Sequence, residues 1–523
     1  MISSPDDHKE AYGKDGYNVD NESIRHSANF NPLASPLPWW YEFYKRIKLI
    51  PWWISYNFGI AREAVLKDKI VDLACRMGLQ DKWVKRILRH AVSEFSKKGL
   101  GPDYYGYHNI DHELEATYFT LLAANGQSKD GKFSTEDLYY LFVAALFHDF
   151  DPTKQFDKPH EDSVELFIRN DKRIQNFIEE VDLNINIVIA MMHRTAYPFT
   201  GENQEHARKR MAELFTLAKI PVDDKKTRWH YEELGWFLSV AERIAGYALG
   251  DFARSMELAR RNAHALGWHS SVINTESVKY FSVLKEEREM VDRVLQGVPE
   301  EYRKRFWDNV AGFKDVWEME VLIKNSIRRK EVALIPVIEK IYDEPDQRLK
   351  EAILKLYREL PPPIRIEEDK FRKSLSSVDT LLVTLRVNRN DGMIVGYAKG
   401  GPLEGYKLRR GTGDMNMGKR NTIYLEAMSI APGYWGGTGG HLLRQQFLNE
   451  AKNRGYQFVT AYAHRNVITH RMSRGERIEV VQKYDPDKLD YYRQSLEELP
   501  VTAVLPSPII APSSESLYEE QVA

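Results

Sequence analysis

Two histidine-containing segments in the first half of the chain carry side chains that could bind a metal ion. The first reads YHNIDH; its His108 and His112 are four residues apart, so on a helix they share one face. The second, ALFHDFD, places His148 and Asp149 at the end of a very apolar run, where neither an imidazole nor a carboxylate is buried without a partner. With one further carboxylate, this set suits one or two divalent ions.

These segments resemble the motifs of the HD superfamily of metal-dependent phosphohydrolases, and the HNxxH spacing is similar to that of its cyclic-nucleotide phosphodiesterase branch. The resemblance covers about residues 100–260. It implies that His112, His148 and Asp149 are metal ligands and that His108 is the acid that protonates the leaving oxygen. The metal (Mg, Mn, Fe or Zn) would supply a hydroxide at neutral pH, and the substrate would be a phosphate ester or a nucleotide.

The resemblance leaves the fourth metal ligand open. The family has an aspartate late in the domain, and the matching segment, SVAERIAGYALGD, offers Glu242 at the aligned position. Asp251 has the right chemistry but lies ~13 Å further along a helix, so we expect Glu242. His193 is a further candidate, as a ligand of a second metal ion or as a substrate contact.

One departure argues against specificity for cyclic nucleotides. The phosphodiesterase pattern has a histidine just after HDxD, where this chain has Pro152. His160 would have to replace it through the following loop.

A glycine-rich turn in the second half of the chain could hold a phosphate or a pyrophosphate. A strand predicted over YLEAMSI is followed by APGYWGGTGGHLL and then by a helix. Glycines let the backbone approach a ligand closely, and the free N–H groups at a helix start attract anions. In the strand, Glu426 is either a partly buried carboxylate with a raised pKa or a solvated strand residue.

The segment resembles the acyl-CoA-binding motif of the GNAT acetyltransferase superfamily, over about residues 375–485. The resemblance implies acetyl-CoA or another acyl-CoA as the cofactor, an amine as the acceptor and Glu426 as the general base. It assigns six residues to the acyl-CoA site: Ile430, Gly437, Thr438, Gly439, Gly440 and Asn466. Rossmann-type dinucleotide binding is disfavoured because no crossover helices separate the preceding strands and no acidic residue ends the next strand.

Two positions depart from the GNAT pattern. Ser473 stands where the family has a tyrosine acid, so the acid that protonates the thiolate is either missing or supplied from elsewhere, with His470 and Tyr484 as the candidates. Tyr434 stands where the loop typically has an arginine or a glutamine.

The basic residues of the loop 406–420 either favour an acidic acceptor or are simply solvated.

The elements that must position these residues divide the chain into a helical and an α/β part. From about residue 60 to 345, apolar residues recur at three- and four-residue spacing or as buried-helix runs, which is typical of an all-α domain. Three consecutive prolines at 361–363 cannot continue a helix, and short β-rich segments with glycine and asparagine turns follow them. The predicted organisation is a disordered lead-in over 1–35, an all-helical domain of the HD type over 36–345, a helical and proline-rich linker over 346–372, an α/β domain of the GNAT type over 373–500 and a disordered tail over 501–523.

Composition narrows the classes of function. Lys plus Arg number 74 against 76 Asp plus Glu, so no single-sign field favours nucleic acid as the main partner. The single cysteine, Cys75, excludes an intramolecular disulfide and fits a cytoplasmic location. Neither a signal peptide nor an apolar run of ~20 residues is present. The segment 37–60, with four tryptophans beside basic residues, could lie at a membrane surface, although we expect it to pack on the main domain.

The sequence therefore predicts a bifunctional enzyme, with a metal-dependent phosphohydrolase and an acyl-CoA-dependent N-acyltransferase acting on small molecules. The alternative is an acetyltransferase regulated by a non-catalytic HD-like module that binds a nucleotide or a metal.

Overall fold

The computed structural model describes residues 62–97, 107–128, 132–153, 158–266, 268, 272–339, 346–360, 365, 367–436, 438–484 and 488–497. The predicted lead-in, the tryptophan-rich segment 37–60 and the predicted tail lie outside these residues. None of the helices within the described ranges combines the length and the apolar character needed to cross a bilayer.

Helices make up the first part of the described chain, which we call the helical region. They are α1 (Arg62–Arg76), α2 (Asp81–Lys97), α3 (Ile110–Ser128), α4 (Thr135–Phe147), α5 (Glu161–Asn170), α6 (Lys172–Glu179), α7 (Ile185–His193), α8 (Gly201–Leu217), α9 (Lys225–Leu249), α10 (Phe252–Ala265), α11 (Ile273–Glu286), α12 (Arg288–Gln296) and α13 (Glu300–Arg328).

The second part contains a sheet, and we call it the α/β region. Its elements are β1 (Leu334–Glu339), α14 (Gln347–Arg358), α15 (Glu368–Ser374), β2 (Leu381–Val387), β3 (Ile394–Pro402), a 3₁₀ turn (Leu403–Gly405), β4 (Thr422–Ile430), α16 (Gly439–Asn453), β5 (Phe458–His464), α17 (Arg465–Ser473), β6 (Ile478–Gln482) and β7 (Leu489–Ser495).

Helices α3, α4 and α9 pack together in the centre of the helical region. Helix α4 begins at a capping box formed by Ser134 and Asp137, and every residue from Leu138 to Phe147 is buried. A helix that is apolar on all sides is stable only when other helices surround it. The two histidine motifs and Glu242 lie on these three helices or at their ends, so the core of the helical region positions the candidate metal ligands.

The sheet has seven strands in the order β1-β2-β3-β4-β5-β7-β6. Neighbouring strands are antiparallel except for the parallel pair β4 and β5. Helix α16 packs on one face through Leu443 and Phe447. Helices α14 and α15 contribute Tyr357 and Phe371 to the core on the other face, with the two rings stacked at 3.8 Å. The described chain thus joins a helical part to a mixed sheet covered on both faces.

The sheet begins earlier than the sequence predicts. Residues 334–339, placed by the sequence analysis in the all-helical domain, form β1 and pair with β2 across Leu334↔Val387 to Glu339↔Leu382. The segment predicted as a linker, 346–372, contributes α14 and α15 to the sheet's core. The difference arises because β1 is a short run whose partner strand lies more than 40 residues further on, a distance at which local periodicity gives no signal.

Strand β4 has two irregular features where it approaches the glycine-rich loop. The register between β3 and β4 shifts, so that Gly400 pairs with Leu425 and Lys399 with Ala427, which leaves Glu426 as a β-bulge. The pairing with β5 covers only Thr422–Tyr424. Beyond Tyr424 no further pairs join the two parallel strands, and we call this unpaired region between their carboxyl ends the opening between β4 and β5.

Candidate functional site

Three histidine side chains, of His108, His112 and His148, converge on Asp149 in the helical region. Its Oδ2 lies 2.7 Å from His108 Nδ1 and 3.3 Å from His112 Nε2. The same oxygen lies 3.4 Å from His148 Nε2, and His112 Nε2 lies 3.7 Å from Glu242 Oε2. Two overlapping groups, His108–His112–Asp149 and His112–His148–Glu242, each place their ligand atoms within 4.8 Å of one another. The structure therefore brings together five of the predicted site residues.

The donor set of this cluster fits a divalent metal ion. His112 Nε2 and His148 Nε2 are buried, and their contacts with Asp149 Oδ2 at 3.3 and 3.4 Å do not have hydrogen-bond geometry. Leaving such atoms unpaired in a protein interior costs free energy, and a coordinated cation would remove that cost. Imidazole nitrogens with carboxylate oxygens are the usual ligands of Zn, Mn and Fe.

Glu113 contacts two of these candidate ligands, His148 and Asp149, and the sequence analysis did not identify it. Its Oε2 lies 3.1 Å from His148 Nδ1, and its Oε1 accepts a hydrogen bond of 3.1 Å from the Asp149 backbone N–H. His148 Nδ1 also lies 3.0 Å from the Ala145 carbonyl oxygen. With Nδ1 bound in this way, the Nε2 lone pair of His148 faces the cluster. The feature that could have pointed to Glu113 is a carboxylate directly after His112, on a helix that is otherwise mostly buried.

Burial and neighbouring charges set the ionisation of the cluster. Burial raises the pKa of Glu242 to about 8 and lowers the pKa of His112 to about 4. Although burial opposes it, the nearby His148 and His108 hold the pKa of Asp149 well below its usual range. Desolvation therefore favours the neutral form of Glu242, and a bound cation would favour its ionised form.

Three other candidates lie outside this cluster. His193 Nε2 is bonded to Glu165 Oε2 at 3.0 Å. Asp251 caps α10, with its Oδ1 accepting from the Arg254 N–H at 2.9 Å. His160 caps α5, with its Nδ1 accepting from the Asp162 N–H at 3.3 Å. Of the two alternatives for the fourth ligand, the structure places Glu242 at the cluster.

The glycine-rich loop of the α/β region, Ala431–Thr438, turns from β4 into α16. Gly436 and Thr438 have left-handed backbones, with φ of +74° and +68°. A Cβ on Gly439 would lie 2.6 Å from Leu385 Cδ2, so glycine lets the start of α16 approach the sheet. The Thr438 side chain makes no capping hydrogen bond at this helix start, where backbone N–H groups favour an anion. Gly437 lies outside the described residues, and Gly440, in the first turn of α16, is half-buried.

The opening between β4 and β5 lies at the end of β4 that precedes the loop and this helix start. From Leu425 onward, the β4 backbone has no described strand partner on the β5 side, so an extended ligand could pair with it. The Ile430 carbonyl, at the end of β4, accepts a hydrogen bond of 2.7 Å from the Trp435 indole. Asn466 lies at the start of α17, where its Nδ2 donates to the Leu266 carbonyl of the helical region at 3.2 Å.

Glu426 lies just beyond the paired part of β4 and β5, and its side chain is only 4% exposed. It is therefore not a solvated strand residue. Its Oε2 accepts hydrogen bonds from the Tyr406 hydroxyl at 2.9 Å and from Lys399 Nζ. Its Oε1 is buried without a hydrogen-bond partner. Burial lowers the pKa of Lys399, although Glu426 opposes that shift.

The residues considered for the acid that protonates the thiolate lie in two parts of the α/β region. On α17, Ser473 Oγ donates to the His470 carbonyl at 2.8 Å, and both residues are exposed. The Tyr484 hydroxyl donates to the Arg410 carbonyl at 3.2 Å, and the Arg409 guanidinium lies 4.2 Å from the Tyr484 ring centre. Tyr484 thus packs against the basic loop 406–420. The hydroxyl that contacts Glu426 is that of Tyr406, which the sequence analysis did not single out.

No family model matches the chain, and no curated protein matches it. The solved structures to which the chain is similar include the following three. A protein of Desulfovibrio desulfuricans described as an acetyltransferase of the GNAT family is 14% identical, over 31% of this chain and 99% of its own, with a TM-score of 0.22. The yncA protein of Salmonella typhimurium, described as an acetyltransferase and solved with its cofactor acetyl-CoA, is 16% identical over 33% of this chain and 99% of its own, with a TM-score of 0.23.

The third likeness is to malonyl-CoA decarboxylase from Rhodopseudomonas palustris, which is 12% identical over 64% of this chain and 69% of its own, with a TM-score of 0.21. At TM-scores this low, none of the three likenesses assigns an activity. The functional assignment therefore rests on the residues of this chain.

Proposed function

We propose that the α/β region is an acyl-CoA-dependent N-acyltransferase of the GNAT type. The observation that carries this proposal is the opening between β4 and β5, which lies at the end of β4 that precedes the start of α16. An acyl-CoA combines an extended arm containing amide groups with a pyrophosphate. The arm suits an unpaired strand edge, and the pyrophosphate suits a helix start. The resemblance of the loop to the GNAT motif supports the same assignment.

The proposed reaction needs a proton acceptor beside the thioester. The amine nitrogen attacks the thioester carbonyl carbon, the C–S bond breaks, and the amine gives up a proton while the thiolate gains one. In this proposal Glu426 Oε1 accepts the proton of the amine, because it is buried without a partner beside the opening. Lys399 and Tyr406 hold the other oxygen in place.

A charge introduced at the helix start tests this proposal. Thr438 is exposed and has a left-handed backbone, which Asn and Asp tolerate well. We expect Thr438→Asp to raise the Kd for acetyl-CoA about tenfold or more, because its carboxylate repels the pyrophosphate. The neutral Thr438→Asn variant should stay within about threefold of wild type. Equal affinities of the two variants, measured by calorimetry, would contradict the proposed site.

The histidine–carboxylate cluster favours a second function for the helical region. We propose that it binds a divalent ion through four residues and hydrolyses a phosphate ester. The ligands would be His112, His148, Asp149 and Glu242. His108, with Nδ1 bound to Asp149 and a side chain 24% exposed, would present its Nε2 as the acid for the leaving oxygen. A bound divalent ion would polarise the phosphoryl group and activate water. His193 is left out because Glu165 already binds its Nε2.

Metal analysis followed by an assay separates hydrolysis from a purely regulatory role. The purified protein should contain about one or two equivalents of a divalent metal, and His148→Ala and Asp149→Ala should lose it. Hydrolysis of bis(4-nitrophenyl) phosphate by the metal-loaded wild type, and not by His108→Ala, would support the hydrolase. Metal binding without any turnover would favour a non-catalytic module that regulates the acyltransferase.

A further inference from the structure

The loop between β4 and α16 contacts the helical region through its first half. Gly433 and Trp435 are buried, whereas Gly436 and Thr438 are exposed. The Trp435 side chain is 6% exposed and belongs to the hydrophobic core of the helical region rather than to that of the sheet. The half of the loop next to β4 is therefore held by another part of the chain, and the half next to α16 is left open.

Trp435 makes polar and cationic contacts as well as apolar ones. Its indole N–H donates to the Ile430 carbonyl at 2.7 Å and so closes the loop onto the end of β4. The guanidinium carbon of Arg260, on α10, lies 5.7 Å from the Trp435 ring centre. Arg260 is itself held by an ion pair with Glu359, which follows α14. The ring is thus fixed from both regions of the protein.

Gly433 is the second anchor of the loop. Its φ is +89°, and a Cβ there would lie 2.9 Å from Met319 Sδ on α13. Its N–H donates to Glu320 Oε1 at 3.4 Å, and the same oxygen accepts from Asn274 Nδ2 at 2.8 Å. A fully buried carboxylate held by an amide side chain therefore fixes this part of the loop backbone.

Helix α10 and the residue that follows it contact the chain on both sides of the opening between β4 and β5. On one side Arg260 lies over Trp435, and on the other the Leu266 carbonyl, just after α10, accepts from Asn466. The two contacts are six residues apart in the chain, or ~9 Å along a helix. The helical region thus spans the opening through which an acyl-CoA would enter.

We propose that Trp435 is a positioning residue for acyl-CoA and that, with Arg260 and Glu320, it makes the helical region a structural part of the acyl-CoA site. This inference rests on the proposed acyltransferase function. A glycine-rich loop has many accessible backbone conformations, and its apparent affinity for a ligand falls with the fraction that is competent to bind. The anchors keep the loop in the conformation that presents the start of α16 to the pyrophosphate.

The test compares Trp435→Phe and Arg260→Met with Trp307→Phe. Trp435→Phe keeps an aromatic ring but removes the indole N–H, and Arg260→Met removes the cation over it. Trp307, on α13, is 39% exposed, and Trp307→Phe is the control for the same substitution at a tryptophan outside the loop. The ligands are acetyl-CoA and 3′-phospho-ADP, which is the nucleotide part of CoA with its pyrophosphate. Calorimetry gives the Kd values, and circular dichroism shows that each variant is folded.

Trp435→Phe and Arg260→Met should each raise the Kd for acetyl-CoA about tenfold, as expected if the fraction of molecules with a binding-competent loop falls to about a tenth. The Kd for 3′-phospho-ADP should rise by the same factor, which places the loss at the pyrophosphate and separates positioning from general destabilisation. If Trp435→Phe and Arg260→Met are folded and their Kd values lie within twofold of that of the Trp307→Phe control, the inference is overturned. A wild type that binds no acetyl-CoA is a different result, since it removes the proposed function itself.

Discussion

Lys399 and Glu426 form a buried ion pair on adjacent strands of the sheet, with the two side chains 0% and 4% exposed. The pair lies at the bulge in β4, where Glu426 has one oxygen bound to Lys399 and Tyr406 and the other without a partner. The Lys399 ammonium also lies 4.8 Å from the Phe371 ring centre on α15. The candidate base is therefore held by elements from three parts of the α/β region.

Replacing Lys399 should destabilise the protein strongly. Lys399→Met leaves the Glu426 carboxylate buried without its cation, which costs about 3–5 kcal/mol in comparable buried pairs. The double variant Lys399→Met, Glu426→Gln should recover part of that loss, because no charge remains unpaired. Urea unfolding at pH 7 measures both. A single variant as stable as wild type would show that the pair is not formed.

Glu113 should tune metal affinity without binding the metal. Glu113→Gln keeps the shape of the side chain but weakens the interactions that orient His148 and Asp149. Partners of this kind typically change metal affinity by about 10–100-fold. Competition against a fluorescent chelator measures the Kd for Zn²⁺. The exposed Glu136→Gln variant, on α4, is the control, and equal affinities of the two variants would exclude the orienting role.

Glu165 should make the stability of the helical region depend on pH. Although burial opposes it, hydrogen bonds from His193, Arg210 and Arg169 hold the pKa of Glu165 well below its usual range. A carboxyl whose pKa is lower in the folded state stabilises the protein above its unfolded pKa of about 4.3, and this stabilisation is lost as the pH falls. The difference in Tm between wild type and Glu165→Gln should therefore shrink from pH 7 to pH 3. A difference that stays constant would contradict this assignment.

A close backbone contact at Gly126 should not tolerate a methyl group. A Cβ at this position of α3 would lie 2.1 Å from the Gly297 carbonyl oxygen. Although alanine favours a helix by about 1 kcal/mol over glycine, we expect Gly126→Ala to lower the free energy of unfolding by about 1–3 kcal/mol. Gly413→Ala, at a position with no atom within 4 Å of the added Cβ, should stay within about 0.5 kcal/mol of wild type. Thermal unfolding of both variants checks this.

The sequence predicts features that depend on local spacing better than those that depend on distant contacts. His108 and His112 share a helix face through their four-residue spacing, and the structure places both at the cluster with His148. Lys399 was missed because a lysine in a glycine-rich strand has no recognisable pattern, and its partner lies 27 residues away. Tertiary packing alone decides that relationship.

The same limit applies to the loop and to the edge of the sheet. Trp435 reads as one aromatic residue in a glycine-rich turn, yet its ring packs in a core built from helices far away in sequence. Strand β1 follows directly after a long helix and pairs only with a distant strand. Neither position carries a periodic pattern that would reveal its partner.

Binding of an acyl-CoA at the opening between β4 and β5 underlies both the proposed acyltransferase function and the role proposed for Trp435. Calorimetric titration of acetyl-CoA into the 523-residue protein measures this binding. One saturable site per chain is predicted, with binding that weakens as salt is added because the pyrophosphate contacts a helix start. Absence of saturable heat at protein concentrations of about 100 μM, where a Kd of 1 mM or tighter is detectable, would contradict the account.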